Sequence, residues 1–492
     1  MAVLILVIPF GWMFLFWITN RKRSLHLINS IGACLILLTS FFTIYQVSAH
    51  GKLSYPYFNQ FFYLDALSAI MLMTISVVSF MVCLFAIGYL NQELHQQVIN
   101  LKQLKLFYSL MYGFIFTMLL VVSTQNLGVM WIAIEATTLA SAFLVGFYKR
   151  KESIEAAWKY VIICSVGIAL ALLGIVFLYI SAVNIFEGSK SSLNWLFLLK
   201  NANLLHSSIL KISFIFILVG FGTKAGLVPM HTWLPDAYSQ APSPISALLS
   251  GVLSNSAMYG IIRILAIVNK NLNNNLYAGR LLMIAGLLSI ATAAVFILTQ
   301  KDFKRLLAYS SIEHMGIITF GLGLFTPITI FASLFHMVNN AFTKSLLFLA
   351  TGNIRLKYQT REIFKVTGLI KTIPITGVVF LMGLFAIAGS PPFSIFSSEL
   401  NMIIGAFSTG QIIPTALFIL LITLVFAGVM AVTLRMFFGE NKNPQIHPGE
   451  NDLPGLAVLI GLLIIITLTG VLMPGQYKNL LEIASGIIRG VA

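Results

Sequence analysis

Long apolar runs recur along the whole chain and are separated by short polar connections. Each run has about the 17–25 residues that an α-helix needs to cross the roughly 30 Å hydrocarbon core of a bilayer. The pattern therefore predicts an all-α integral membrane protein with about fourteen transmembrane helices. The predicted spans are residues 2–19, 26–48, 66–89, 106–123, 125–147, 158–183, 208–234, 241–267, 278–299, 306–325, 327–351, 368–408, 411–436 and 455–473.

The twelfth run, residues 368–408, is too long for a single crossing and contains Ser390, Pro391 and Pro392 near its middle. Proline lacks the backbone donor that a helix interior requires, so it interrupts an α-helix. We therefore expect a broken helix of two halves at this position. The first run has no small-residue cleavage site, and we interpret it as a span rather than a signal peptide.

The composition supports a membrane protein. The 492 residues are 58% hydrophobic and 9% charged, and the mean hydropathy is +0.93. Soluble domains are typically about 45–50% apolar and about 25% charged, which excludes a soluble enzyme. The net charge of +15 does not indicate nucleic-acid binding, because the basic residues form short clusters between apolar runs. Cys34, Cys83 and Cys164 lie inside apolar runs without metal-ligand spacing.

The positive charges of the loops predict the orientation of the spans. Connections after odd-numbered spans carry basic clusters, such as residues 21–23, 149–151 and 301–305, whereas connections after even-numbered spans carry isolated lysines. Short cytoplasmic loops are enriched in Lys and Arg. We therefore expect the odd loops to be cytoplasmic and both termini to lie on the non-cytoplasmic side.

Ionisable side chains occur within the predicted spans. Two acids, Glu135 and Glu399, and two lysines, Lys224 and Lys344, stand in the middle of apolar runs. A charge at such depth costs about 2.5–3.5 kcal/mol on insertion scales and is retained where it faces the bundle interior or a hydrated cavity. Burial disfavours the charged form and an opposite charge favours it, so such groups can exchange protons. We interpret them as a proton or ion path; a structural ion pair between helices is the alternative.

Lys224 and Glu399 both lie beside predicted helix breaks. Lys224 stands between Gly222 and Gly226, and Glu399 follows the two prolines of span 12. Broken helices at corresponding places in two halves are typical of inverted-repeat transporters. We predict two inverted five-helix repeats, spans 4–8 and 9–13. The predicted segments are residues 1–105 (spans 1–3), 106–267 (first repeat), 278–436 (second repeat) and 437–492 (loop, span 14 and C-terminal tail).

Span 11 carries a polar stripe. His336, Asn340 and Lys344 are four residues apart, so they lie on one face of the helix. Span 10 adds His314, and span 8 adds several serines and Asn255. One such residue alone is more often a satisfied packing group, but stripes on three spans indicate a hydrated track along the bundle.

Four segments resemble a known family: residues 301–316, 336–352 and 390–399, and above all residues 222–251, GTKAGLVPMHTWLPDAYSQAPSPISALLSG. They are similar to the antiporter-like, proton-translocating subunits of respiratory complex I. The same family includes subunits of Mrp cation/proton antiporters and membrane subunits of group 4 hydrogenases. The resemblance covers spans 4–13. Among the subtypes, the chain most resembles the F-type subunit of hydrogenase-4 and the M-type subunit of NADH–quinone oxidoreductase.

The resemblance implies roles for individual residues. Glu135 matches the glutamate of the fifth span that pairs with the lysine of the broken seventh span, here Lys224. Asn255 stands where the family has a proton-carrying Lys or His, and an asparagine does not exchange protons. The central relay is therefore expected to run through water and histidine or lysine side chains. The residues implied are Glu135, Lys224 and Glu399 for proton transfer and His314, His336 and Lys344 for the relay.

The resemblance also implies a function. We expect a multi-pass subunit of a bacterial cell (inner) membrane that moves protons within a redox-driven complex. Its expected partners are other membrane subunits and a peripheral electron-transfer arm. Iron–sulfur, flavin or nickel–iron centres are expected only on those partners, with no cofactor or metal on this chain and no nucleic-acid partner. Two alternatives remain: an Mrp-type cation/proton antiporter subunit, and a proton-channel partner of a soluble inorganic-carbon-uptake protein.

Overall fold

The computed structural model describes residues 3–54, 62–183, 193–440, 446–450 and 453–490. Two short strands, β1 (Leu53–Ser54) and β2 (Tyr63–Leu64), pair antiparallel. Nearly all of the remaining described chain is helical. The α-helices are α1 (Leu4–Leu15), α2 (Lys22–His50), α3 (Ala66–His95), α4 (Leu101–Ser123), α5 (Leu127–Val145), α6 (Lys151–Val183), α7 (Trp195–Lys200), α8 (Ser207–Ala225), α9 (Trp233–Gln240), α10 (Ser243–Leu248), α11 (Ser254–Leu272), α12 (Leu276–Ile297), α13 (Phe303–Leu324), α14 (Pro327–Tyr358), α15 (Leu369–Thr372), α16 (Pro374–Ile387), α17 (Ser394–Ser408), α18 (Ile412–Thr433), α19 (Leu453–Val471) and α20 (Gly475–Arg489).

These helices confirm the prediction of an all-α, multi-pass membrane protein. Ten helices of the described chain are long and apolar enough to cross a membrane, by length and composition, with α10 and α11 counted as one. The other predicted spans also coincide with helices, namely α1, α13, α14 and the pair α16 and α17. The number of fourteen crossings stays a prediction.

The two predicted helix breaks are present. α8 ends at Ala225, and Gly226 follows with a φ of +89° before α9 begins. α16 ends at Ile387, and Gly389 has a φ of +69° before α17 begins. Both values lie in the left-handed region, which glycine adopts without the steric cost that a Cβ brings. The seventh and twelfth spans are therefore each divided into two helices.

A π-helical turn at residues 249–253 joins α10 to α11. Such single-turn bulges within an α-helix are frequent at functional sites. Asn255 lies directly after this turn, and all of α10, the turn and the first half of α11 are buried.

α14 is the centre of the bundle. It packs against α3, α10, α13, α16, α17, α19 and α20, and its middle residues are buried on every face. The polar stripe predicted on span 11 therefore points into protein rather than into lipid. The outer helices, by contrast, expose large apolar side chains such as Phe10, Phe143 and Ile413.

α20 is a helix that our sequence analysis did not predict. It buries Leu480, Leu481, Ala484 and Ile488 against the α3, α11 and α14 side of the bundle. These positions recur with the helical period, so the apolar spacing was available as a signal. The segment is too polar to be predicted as a membrane span.

Candidate functional site

Lys224 lies at the end of α8, directly before the break in the seventh span. Its side chain is fully buried. The Nζ atom donates hydrogen bonds to the hydroxyls of Thr138 on α5 (2.5 Å) and Tyr160 on α6 (2.9 Å). It also lies 4.9 Å from the centroid of the Tyr160 ring, within the range of a cation–π interaction. The ammonium is therefore held by neutral groups from two neighbouring helices.

Glu135 lies one helical turn before Thr138 and is partly exposed. Its carboxylate accepts hydrogen bonds from Thr138 Oγ1 and from Ser165 Oγ, each at 3.2 Å. The Thr138 hydroxyl donates to Glu135 and accepts from Lys224. The structure thus brings the predicted partners together, but through the threonine hydroxyl rather than as a direct ion pair.

A second group of polar side chains joins α13, α14 and α17. The Nδ1 atom of His314 lies 2.9 Å from Nε2 of His336, and Nδ1 of His336 lies 2.8 Å from Oγ of Ser398. Both histidines are fully buried. Ser398 directly precedes Glu399 on α17, so the row ends beside the carboxylate that follows the second helix break.

Glu399 is nearly buried, and its carboxylate lies against Gly389 of the break. His314, His336 and Glu399 each offer one ligand atom, and these atoms lie within 4.8 Å of one another. In a tetrahedral zinc site, Zn–N bonds of about 2.0–2.1 Å would hold two imidazole nitrogens about 3.3 Å apart. The observed 2.9 Å between Nδ1 of His314 and Nε2 of His336 is the length of a direct hydrogen bond. This arrangement therefore fits a hydrogen-bonded relay better than a preformed metal site.

Lys344 lies two turns beyond His336 on α14. It is fully buried, and its Nζ atom donates to the backbone carbonyl of Leu307 at 3.0 Å. It interacts electrostatically with Glu313 of α13. Lys344 and His336 thus both face α13, in agreement with the shared face that their spacing predicted.

Glu313 shows that our count of two acids in the middle of apolar runs was wrong. It lies within the predicted span 306–325, is 4% exposed and accepts a hydrogen bond from Ser310 Oγ at 3.3 Å. Its Oε2 atom is 3.9 Å from Nε2 of His314. The sequence does show an acid within this predicted span. However, its neighbours Ser310, Ser311 and His314 are polar too, so the acid does not stand out from an otherwise apolar run. Glu313 thus adds a carboxylate that interacts with both His314 and Lys344.

Asn255 links the π-helical turn to α14. Its Nδ2 atom donates to the backbone carbonyls of Gly251 (3.0 Å) and Met337 (2.9 Å). Its Oδ1 atom is buried without a hydrogen-bond partner in the part of the chain that the structure describes. The asparagine therefore joins α11 and the π-helical turn to α14, and its Oδ1 atom remains available to accept a hydrogen bond. Nearby, Ser250 and Ser311 lie 2.8 Å apart and connect the same region to α13.

Our sequence analysis also did not single out Arg263, which lies inside the predicted span 241–267. The guanidinium forms two short hydrogen bonds to the carboxylate of Asp65 (2.6 and 2.7 Å) and bonds to Ser68 and Tyr259. It also stacks 4.2 Å from the ring of Trp195. The bidentate geometry and full set of partners are those of a structural ion pair that joins α3 to α11.

Comparison with known proteins places these groups in a family context. The family model described as "NADH:quinone oxidoreductase/Mrp antiporter, TM" matches residues 124–431, and that described as "NADH-Ubiquinone oxidoreductase (complex I), chain 5 N-terminus" matches residues 58–97. The chain is 36% identical to a hydrogenase-4 component F homolog of Methylacidiphilum infernorum over 90% of both proteins. It is 29% identical to NADH-quinone oxidoreductase subunit M of Rickettsia conorii, over 74% of this chain and 71% of that protein.

A solved structure agrees with these matches. A chain of the membrane-bound sulfane sulfur reductase, an archaeal respiratory membrane complex, superposes with a TM-score of 0.87 at 25% identity, covering 100% of this chain and 98% of that one. The family matches span both broken helices and both groups of polar residues described above. The chain belongs to the NADH:quinone oxidoreductase/Mrp antiporter family of transmembrane subunits.

Proposed function

We propose that this chain moves protons across the membrane as a subunit of a redox-driven complex of the hydrogenase-4 or NADH–quinone oxidoreductase type. The observation that carries the proposal is the set of ionisable groups on five helices, all of them buried except the partly exposed Glu135. One group, Glu135 and Lys224, lies beside the break after α8. The other, which runs from Lys344 through the histidine pair to Glu399, ends beside the break before α17.

The Thr138 hydroxyl provides the control step of the proposed mechanism. Burial destabilises the ammonium of Lys224, and the nearby carboxylate of Glu135 stabilises it. A charge change beside Glu135, on its partly exposed side, alters this balance and lets Lys224 release its proton. Because Thr138 bonds to both groups, reorienting its hydroxyl couples the two changes.

The histidine pair is suited to pass a proton between α13 and α17. Each imidazole has one nitrogen that donates and one that accepts in its neutral form. A chain of contacts from His314 through His336 to Ser398 can therefore hand on a proton by exchanging donor and acceptor roles. Glu399 then serves as the terminal carboxylate. We place water between Lys224 and Lys344, and the buried Oδ1 atom of Asn255, which has no hydrogen-bond partner among the described residues, is an acceptor available to it.

We further propose the setting of the subunit. It would lie in a bacterial inner membrane with both termini on the non-cytoplasmic side and with residues 106–267 and 278–436 as inverted repeats. Its partners would be other membrane subunits and a peripheral arm that carries the iron–sulfur, flavin or nickel–iron centres. The likeness to hydrogenase-4 component F and subunit M supports this setting over that of an isolated carrier.

Proton uptake by inverted membrane vesicles that contain the complex tests the proposal. We expect Lys344→Met to abolish uptake, because a neutral side chain removes the proton carrier at the centre of α14. Lys371→Met, which changes an exposed lysine, is the matched control. Uptake that requires Na⁺ would instead favour a cation/proton antiporter, and full uptake by the Lys344 variant at equal assembly would contradict the proposal.

A further inference from the structure

An apolar groove lies on the outer surface between α4, α5 and α6. It has a volume of about 640 Å³. Its walls are almost entirely apolar and include Leu110 of α4, Phe143 of α5 and Trp158 of α6. The side chains of Phe143 and Trp158 are 69% and 63% exposed. The described residues of this chain therefore do not cover the groove, and it is open to the membrane.

The groove ends at a basic loop. Lys149, which lies directly after α5, forms part of its lining, and Gln103 is the other polar residue there. Arg150 and Lys151 follow in the sequence, and Lys102 precedes Gln103. Lys149 makes no ion pair or side-chain hydrogen bond within the described ranges. The mouth of the groove is therefore cationic, whereas its length is apolar.

The backbone at Lys149 is left-handed, with a φ of +55°. Phe325 and Gln359, which end α13 and α14, have the same conformation, so it is a turn that ends a helix and does not by itself indicate a ligand. A variant that removes the charge of Lys149 must tolerate this conformation, as asparagine does.

We propose that this groove binds one anionic phospholipid, with the acyl chain between α5 and α6 and the phosphate at Lys149. Basic clusters at a membrane end attract anionic headgroups. The apolar length of the groove and its cationic mouth match the acyl chain and the phosphate of such a lipid.

The groove runs along α5 and α6 toward Glu135, the carboxylate that bonds to Thr138 in the proposed mechanism. On α5, Gly146, Ala142 and Leu139 lie on the same face as Glu135, and on α6 the lining residues lie on the same face as Ser165. Ser165 donates to Glu135. An acyl chain in the groove thus ends about one helical turn, roughly 6 Å, from the partly exposed carboxylate and covers its approach from the lipid.

Photo-crosslinking tests the site directly. The intact complex is incubated in mixed micelles with phosphatidylglycerol that carries a photoreactive group on an acyl chain, and the crosslinked peptides are mapped by mass spectrometry. We expect crosslinks within residues 139–161. The concentration of unlabelled lipid that halves crosslinking should be at least fivefold lower for phosphatidylglycerol than for phosphatidylethanolamine. The measurement needs no transport, so its outcome is separate from that of the proposed function.

Matched variants separate charge from shape. Lys149→Asn tolerates the left-handed backbone and removes the charge, and Ala142→Phe fills the groove; each should lower crosslinking at least fivefold. Lys149→Arg and Lys301→Ala, an exposed lysine outside the groove, should retain it. Equal competition by both lipids, unchanged crosslinking in the Asn and Phe variants, or crosslinks to a neighbouring membrane subunit in place of lipid would overturn the proposal.

Discussion

Lys224 donates a hydrogen bond to Thr138, and not directly to the carboxylate expected to be its partner. The threonine hydroxyl passes the interaction on to Glu135 through its own hydrogen bond. A neutral group therefore stands between the two charges. This position makes the influence of Glu135 on Lys224 dependent on a hydroxyl that can rotate.

Replacing Thr138 by valine keeps the shape of the side chain and removes the hydroxyl. Hydrogen bonds to charged groups contribute about 1.5–3 kcal/mol, so we expect proton uptake to fall roughly tenfold or more. Thr138→Ser should retain most of it. Uptake in inverted vesicles, normalised to assembled complex on blue-native gels, is the measurement. Equal activity of the valine and serine variants would show that the hydroxyl has no part in coupling.

Lys224→Ala should abolish proton translocation while the complex still assembles. Lys224→Arg should be nearly as inactive, because a guanidinium does not release its proton in proteins. Lys211→Ala, at the opposite end of the same helix, is the control and should remain active. Near-normal uptake by the arginine variant would rule out Lys224 as a proton carrier.

Glu135→Gln should impair coupling more than Glu135→Asp, because the charge is needed and the length of the side chain can partly adapt. Glu152→Gln, an exposed acid on α6, should have little effect. Redox turnover and proton uptake are measured on the same membranes. If both Glu135 variants mainly reduce the amount of assembled complex, the residue is a structural partner instead.

Asn255 tests whether water occupies the gap in the relay. Asn255→Leu removes an interhelical hydrogen bond worth about 0.6–1.7 kcal/mol, so assembly should be only mildly affected. Transport should nevertheless fall, because the apolar side chain cannot hold water. Asn255→Lys should assemble, since the backbone carbonyls of Gly251 and Met337 that accept from Asn255 can also accept from an ammonium. A fully active leucine variant would remove Asn255 from the path.

Gly389→Ala should displace the Glu399 carboxylate. A Cβ at this position would overlap Oε2 of Glu399, and the φ of +69° adds backbone strain of about 1–2 kcal/mol. We expect a clear loss of proton uptake. Gly410→Ala separates the two causes, because Gly410 has a φ of +71° but nothing within 4 Å of its Cβ position. Similar losses in both variants would attribute the effect to strain alone.

The sequence by itself determined the class of this protein and much of its architecture. Apolar runs of about twenty residues predict transmembrane helices, because a helix of that length crosses the bilayer with its backbone groups satisfied internally, whereas a barrel strand needs only about ten residues. Glycine and proline located the two breaks, because their backbone limits are local properties. The spacing of His336, Asn340 and Lys344 placed them on one face for the same reason.

Only the tertiary structure decided which of these groups meet. Helix periodicity says which side chains share a face, but not which face of another helix lies opposite. Hence three contacts emerged only from packing: the threonine between Glu135 and Lys224, the hydrogen bond of His314 with His336, and the approach of Glu313 to His314. Likewise, the ion pair of Arg263 with Asp65 joins residues 198 positions apart. Such contacts depend on how helices that are distant in sequence pack together, and a local sequence pattern does not predict that packing.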